Sequence, residues 1–366
     1  MSFEPNWASA PGATIMRLMD AKEIPFDEMA SGLGISENQL QALMDGRTRI
    51  DGLLASALSE NLGSTPRFWL ARDKTYVEEL SRLAPNSGDV SQWIKSLPIR
   101  SMRKYGWVDA NRGEDSIKNS VLCFFGCDDL LSWNAKYSSG VGAVAFRTSF
   151  AFEANEMATL VWLRAGEVRS ETLILPDYDR DSFIDLLPRL RRLSAFRHPK
   201  SFLPRLVEAC RAVGVAVTTA RVPEGCRASG ASWNLSSGHP IIHLSFRHLS
   251  EDHFWFTFFH EAAHVVLHGE EHIDVDGSNP SMETSSAKED EADKFAQHLL
   301  VSAEALDELK RNPAPKRILS AARHLGVTAG IIVGQLEKAG VLAPGRLSRM
   351  KHRYRWADDA FVPESV

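Results

Sequence analysis

Apolar residues recur every three or four positions along most of this chain, and turn residues rather than long polar tracts interrupt them. The pattern predicts a succession of short helices. Within 13–83 it predicts a helix at 26–33, a tight turn at Gly34-Ile35, an N-cap at Ser36 and a second helix at 37–44, stopped by Asp45-Gly46. Ala30, Gly34, Ile35, Leu40 and Leu43 fall where a helix-turn-helix needs a small contact residue, a turn glycine and three core residues. Leu53, Leu54, Leu58 and Leu62 mark a further packed helix. Pro85-Asn86-Ser87-Gly88-Asp89 reads as a linker. Residues 90–200 then return to helical spacing, with Phe183, Leu186, Leu187, Leu190 and Leu193 on one stripe.

Near Ser201 the period changes. Residues 202–213 read as a helix stopped by Gly214, followed by strands at 215–219, 228–233 and 240–246. The segment 241–245 is the expected edge strand, where an extended peptide can add through backbone hydrogen bonds. Helices at 254–268 and 289–300 follow, separated by a Ser-, Asp-, Glu- and Gly-rich loop at 270–288. Residues 318–336 again have helix-turn-helix spacing. The basic stretch 346–356 reads as a surface helix packed through Leu347, Met350 and Tyr354, or as a phosphate contact.

The run 254–268 contains neither Pro nor Gly, and within it stands His260-Glu261-Ala262-Ala263-His264. His260 and His264, at i and i+4, project from one helix face, where two imidazoles can share a tetrahedral ion. Glu261 lies where a carboxylate can take the proton of a water activated by that ion, as H-E-x-x-H metallopeptidases require. A catalytic zinc site wants a third protein ligand, and the helix at 289–300 offers one. There Glu289 can face the ion while Asp293, four residues on, accepts the outer ring N–H of a ligand histidine. Glu291 is the competing ligand, about 200° round the helix from Glu289, so only one of the two faces the ion.

Phe-Phe-His-Glu-x-x-His at 258–264, followed by Glu-x-Glu-Ala-Asp-x-Phe-Ala-x-x-Leu-Leu at 289–300, resembles the ImmA/IrrE family of metallo-endopeptidases. The family usually has Asn where this chain has Asp293. The resemblance implies a zincin-like catalytic domain, with His260, His264 and Glu289 as ligands and Glu261 as general base. It also implies a substrate class, regulatory DNA-binding proteins whose cleavage relieves repression. The N-terminal segment, through Gly63-Ser64-Thr65-Pro66-Arg67-Phe68-Trp69-Leu70, looks like the HigA-type branch of Xre-like helix-turn-helix antitoxins and repressors. His243, Arg227 and His268 are candidates for contacting substrate or the oxyanion. Asn38, Gln39 and Gln41, outward on the second helix, with Arg47 and Arg49 beyond it, are the candidate DNA contacts.

Charge narrows the choice. A formal net charge of −5 excludes a wholesale nucleic-acid binder. Residues 1–83 hold eight Lys and Arg against twelve Asp and Glu, so the N-terminal segment lacks the usual footprint of a DNA-binding domain. No apolar run reaches the roughly 18 residues of a membrane span, and no basic segment with an apolar core opens the chain. The four cysteines are scattered, as thiols in a reducing cytoplasm would be.

The expected fold is multidomain and mainly α. It comprises a helix-turn-helix bundle at 13–83, a helical middle region at 90–200, an α+β zincin-like metallopeptidase domain at 201–305 and a helical, basic C-terminal segment at 306–357. The expected function is a cytoplasmic endopeptidase dependent on zinc, with manganese and iron as alternative metals. It would act on a repressor or antitoxin-type protein, as a homodimer, with the N-terminal module recruiting the target or its DNA. The alternative is a DNA-binding regulator whose metallopeptidase fold is a non-catalytic sensor or scaffold.

Overall fold

The computed structural model describes residues 10–22, 24–44, 48–83, 90–109, 113–137, 156–235, 237–269, 272–275, 283–357 and 360–363. The chain divides into two compact units, Met1–Thr148 and Ser149–Val366. This division falls inside the stretch read from the sequence as a single middle region.

The first unit is helical. It contains α1 (Pro11–Lys22), α2 (Phe26–Leu33), α3 (Glu37–Met44), α4 (Gly52–Leu62) and α5 (Pro66–Leu83). It continues through α6 (Val90–Ser96), α7 (Ile99–Lys104), α8 (Glu114–Phe125) and α9 (Leu130–Tyr137). Ile15, Met29, Leu40, Leu43, Ala55, Leu58 and Trp69 form the buried core of the first five helices. The turn between α2 and α3 depends on Gly34, whose φ of 68° is the left-handed conformation that a helix C-terminus favours. The linker expected at 85–89 and the helix stop at Asp45-Gly46 lie outside the described residues.

The second unit mixes helices with a small sheet. Its elements are α10 (Glu156–Ser170), α11 (Arg180–Arg191), α12 (Pro199–Arg211), β1 (Ala216–Thr219), β2 (Ala228–Asn234), β3 (Pro240–Leu244) and α13 (Glu251–Ala263). β4 (His272–Val275), α14 (Glu283–Leu300), α15 (Ala303–Arg311), α16 (Pro315–Leu325), α17 (Ala329–Lys338), β5 (Tyr354–Ala357) and β6 (Ala360–Pro363) complete it. The sheet order is β1-β3-β2-β4, with β1 and β3 parallel and the other pairs antiparallel. Side chains alternate across it. Val217, Ile242 and Leu244 join Phe202 and Leu206 of α12 and Phe254, Trp255 and Phe258 of α13 in the main core. Thr218 and His243, one residue out of step, belong to the opposite face, where α10 packs.

Three expectations change. β3 is paired on both sides, so it is not an edge strand; β1 and β4 are the edges. β4 lies inside the stretch read as a loop, because a strand of four residues leaves too little alternation to register. The basic stretch 346–356 is no helix. A short 3-10 turn at Ser348–Met350 leads into β5, and Lys351 ion-pairs with Asp252 at the start of α13 at 2.6 Å. The histidine beside it, His352, holds the neighbouring carboxylate of Glu251 through its backbone N–H at 2.9 Å and its ring Nδ1 at 2.6 Å. Lys351 is thereby committed to carboxylates, which removes it from the phosphate-contact reading. The helix-turn-helix spacing at 318–336 does produce α16, a left-handed Gly326 and α17. Ile331, Ile332 and Leu336 of α17 are in the core against α13, so this pair is scaffold.

Candidate metal centre

α13 is apolar on nearly every side, as a helix must be that is packed all round. Glu251 and Asp252 in its first turn suit the positive end of the helix dipole. Its axis continues through a wider turn, His264–His268, in which the N–H of Gly269 donates to the His264 carbonyl five residues back at 2.9 Å. Gly269, at φ 63°, ends the helix. Such a widened turn inside a helix is common at functional sites.

The helix delivers His260 and His264 to α14. Nε2 of His264 lies 3.2 Å from Nε2 of His260. Oε2 of Glu289 lies 3.3 Å from Nε2 of His260, and its Oε1 lies 3.6 Å from Nε2 of His264. Corners of a tetrahedron with bonds of about 2.0–2.1 Å sit about 3.3–3.4 Å apart, so the two imidazole nitrogens and the Glu289 oxygen nearer each stand close to the spacing of ligands on one zinc-sized ion. Among the described residues, His260, His264 and Glu289 are the His/Cys/Asp/Glu group close enough to hold a metal. Two neutral histidines and one carboxylate are a donor set that zinc accepts, and manganese and iron also take imidazole and carboxylate.

The outer nitrogens are also held. Nδ1 of His260 meets Oδ1 of Asp293 at 3.0 Å, and Oδ2 of Asp293 accepts from Nζ of Lys338 on α17 at 2.7 Å. Burial alone would raise the Asp293 carboxyl. The hydrogen bonds from His260 and Lys338 outweigh it and keep the group below the usual carboxylate range. Nδ1 of His264 lies 3.1 Å from Nδ1 of His268, and Nε2 of His268 lies 3.2 Å from Oε2 of Glu291.

Glu261 is fully buried between α13 and β2. The Ser232 hydroxyl donates to its Oε2 at 2.8 Å. Gly230, two residues earlier on the same face of β2, is required by the close approach. A Cβ there would stand 2.8 Å from Oε1 of Glu261 and 2.5 Å from Cγ2 of Thr257.

Other candidates do not converge here. His243 is fully buried on the α10 face of the sheet, its ring 4.3 Å from that of Trp162 and its Nδ1 2.7 Å from the Thr218 hydroxyl. Because strand side chains alternate, a residue paired with Ala231 points away from Ser232 and Glu261, so His243 is not an oxyanion group. Complete burial, with the charge of Arg169 adding, pushes its pKa down to about 3. Arg227 is exposed just before β2. His268 faces His264 and Glu291 instead of the position expected for a substrate group.

In the first unit, Gln39 is a helix cap. Its Oε1 accepts from the Ser36 N–H at 2.8 Å while its own N–H donates to the Ser36 hydroxyl at 3.2 Å. Arg49 donates through Nε and Nη2 to Asp73, at 2.9 and 2.7 Å to Oδ2. The phosphate contact expected of it gives way to an ion pair with a buried carboxylate. Gln41 is exposed on α3, Arg47 lies outside the described residues, and so does the side chain of Asn38.

Sequence reading missed Ser232 and Lys338. They reach Glu261 and Asp293 across 29 and 45 residues of chain, and neither belongs to a spaced motif.

Residues 210–337 match the family Peptidase_M78, described as an IrrE N-terminal-like domain. The matched stretch runs from the end of α12 to the end of α17 and contains the His-His-Glu group. No curated protein matches the chain. No helix among the described residues is long and apolar enough to cross a membrane.

Proposed function

We propose that the second unit is a zinc-dependent endopeptidase, with His260, His264 and Glu289 as ligands, Glu261 as general base and Asp293 orienting His260. One observation carries this reading. Three donors close enough to share one metal ion stand beside a buried glutamate, within a stretch that matches a peptidase family. A bound ion would supply Lewis acidity to the attacking water and the scissile carbonyl. Glu261 takes a proton from that water and returns it to the departing amine. Ser232, by fixing Oε2, sets the plane of the Glu261 carboxylate. Asp293 keeps the proton of His260 on Nδ1, leaving the Nε2 lone pair to face inward. Any pairing of an extended substrate with the sheet falls to β1 or β4, since β3 is occupied on both sides.

The substrate class proposed is a regulatory protein of repressor or antitoxin type in the cytoplasm. The first unit recruits it through a helix-turn-helix fold of Xre type, and the protein acts as a homodimer. Protein recruitment is favoured over DNA by the acidic balance of residues 1–83, by the cap role of Gln39 and by the commitment of Arg49 to Asp73. The test begins with elemental analysis of purified wild type beside His264→Ala and Glu289→Gln. About one equivalent of zinc, manganese or iron in wild type and little in either variant is expected. Wild type that takes up no metal even after reconstitution would move the reading to a non-catalytic regulator. Co-expression with candidate repressors, wild type against Glu261→Gln, then identifies the substrate by the fragment that the variant fails to make.

A further inference from the structure

We propose that His268 is a positioning residue for the metal centre, and that with Glu291 it forms a two-step relay that fixes the tautomer and ring orientation of His264. The inference rests on the metal reading above and extends it to two residues outside the ligand set.

Proton bookkeeping carries the argument. His264 turns Nε2 toward His260 and Glu289, so binding an ion through that nitrogen places the ring proton on Nδ1. Nδ1 is then a donor, and the atom 3.1 Å away, Nδ1 of His268, must accept. A neutral His268 that accepts at Nδ1 carries its own proton on Nε2. That nitrogen faces Oε2 of Glu291 at 3.2 Å, an acceptor only. One assignment satisfies all three groups. The reverse assignment would place a proton on Nε2 of His264 and close it to the metal.

The relay mirrors the direct contact of Asp293 with His260. The side chain of His268 is 7% exposed and that of Glu291 61% exposed, so the imidazole is the stronger link and the outer carboxylate the weaker. His268 stands four residues beyond His264 in the widened turn, against that imidazole and outside the donor group.

The test uses the full-length protein and zinc alone as probe, with the dissociation constant read by chelator competition at fixed pH. His268→Phe keeps a ring but removes the acceptor; His268→Asn keeps an acceptor near the position of Nδ1. The relay predicts that His268→Phe weakens zinc binding about 10- to 100-fold, that His268→Asn recovers most of the loss and that Glu291→Gln costs less than His268→Phe. It also predicts that the visible absorption of the cobalt-substituted protein shifts in His268→Phe and returns toward wild type in His268→Asn. Equal affinity in His268→Phe and wild type would overturn the proposal. So would equal losses in Phe and Asn, which a packing role gives. Apo-protein unfolding midpoints show whether each variant is folded. His264→Ala is the control for the underlying reading. Should it bind zinc as wild type does, the three-ligand site itself fails, whatever the His268 variants do.

Discussion

At the scale of the residue, the site is a set of short distances that tolerate little change. On the proposed mechanism, Glu261→Gln is expected to retain metal and to lose a factor of about 100 to 10,000 in cleavage, the usual worth of a general base; gel assays on the substrate found by co-expression check it. Gly230→Ala drives a methyl group into Glu261 and Thr257 and is expected to destabilise the protein by about 1–3 kcal/mol in urea unfolding. A variant as stable as wild type would show that β2 and α13 are not in such close contact. His243 supplies a pH signature. Its folded pKa, about 3, lies below the unfolded 6.5, so the unfolded chain binds the proton more readily. Its contribution is therefore complete above about pH 6.5 and is lost progressively as pH falls toward 3. His243→Asn should flatten the fall in Tm between pH 7 and 5; an unchanged slope would assign that fall to other groups.

At the scale of the element, α13 carries the motif, but its neighbours decide where the motif sits. α14 supplies Glu289 and Asp293, α17 supplies Lys338, and β2 supplies Ser232 and Gly230. The start of α13 is clamped by the segment before β5, where Lys351 bridges Asp252 and Glu337. Lys351→Met leaves the Asp252 carboxylate, 6% exposed, without its cation. A loss of about 3–5 kcal/mol is expected on chemical denaturation, partly recovered by adding Asp252→Asn. Sequence periodicity recognises α13, since a long apolar helix without Pro or Gly has few competitors. It misreads the segment after residue 346 because Leu347, Met350 and Tyr354 have helical spacing by chance, while the pairing of Lys351 and His352 with Asp252 and Glu251 spans about a hundred residues.

At the scale of the whole molecule, each unit has its own apolar core, one around Trp69 and one around Trp255. Only the second contains the donor group. Zinc at about 100 times its Kd should stabilise the transition that unfolds the second unit by about 2.7 kcal/mol and leave that of the first unit in place. Calorimetry of the full chain with and without zinc tests this. A uniform upward shift of all transitions would mean that the two units unfold together.

The sequence by itself determined the mainly helical character of both units, the turn at Gly34 and the pairing of His260 with His264, because these depend on neighbours within about four residues, where periodicity, caps and glycine act. It also pointed to Glu289 as the third donor, with Glu291 as the competitor. Only the tertiary structure brought Glu289 beside the two histidines, gave Glu291 to His268, put β3 inside the sheet and turned His243 away from Glu261. Strand order and the far ends of long side chains are decided by packing between segments distant in the chain. The apolar pattern of each segment states which residues are to be buried and leaves open against what.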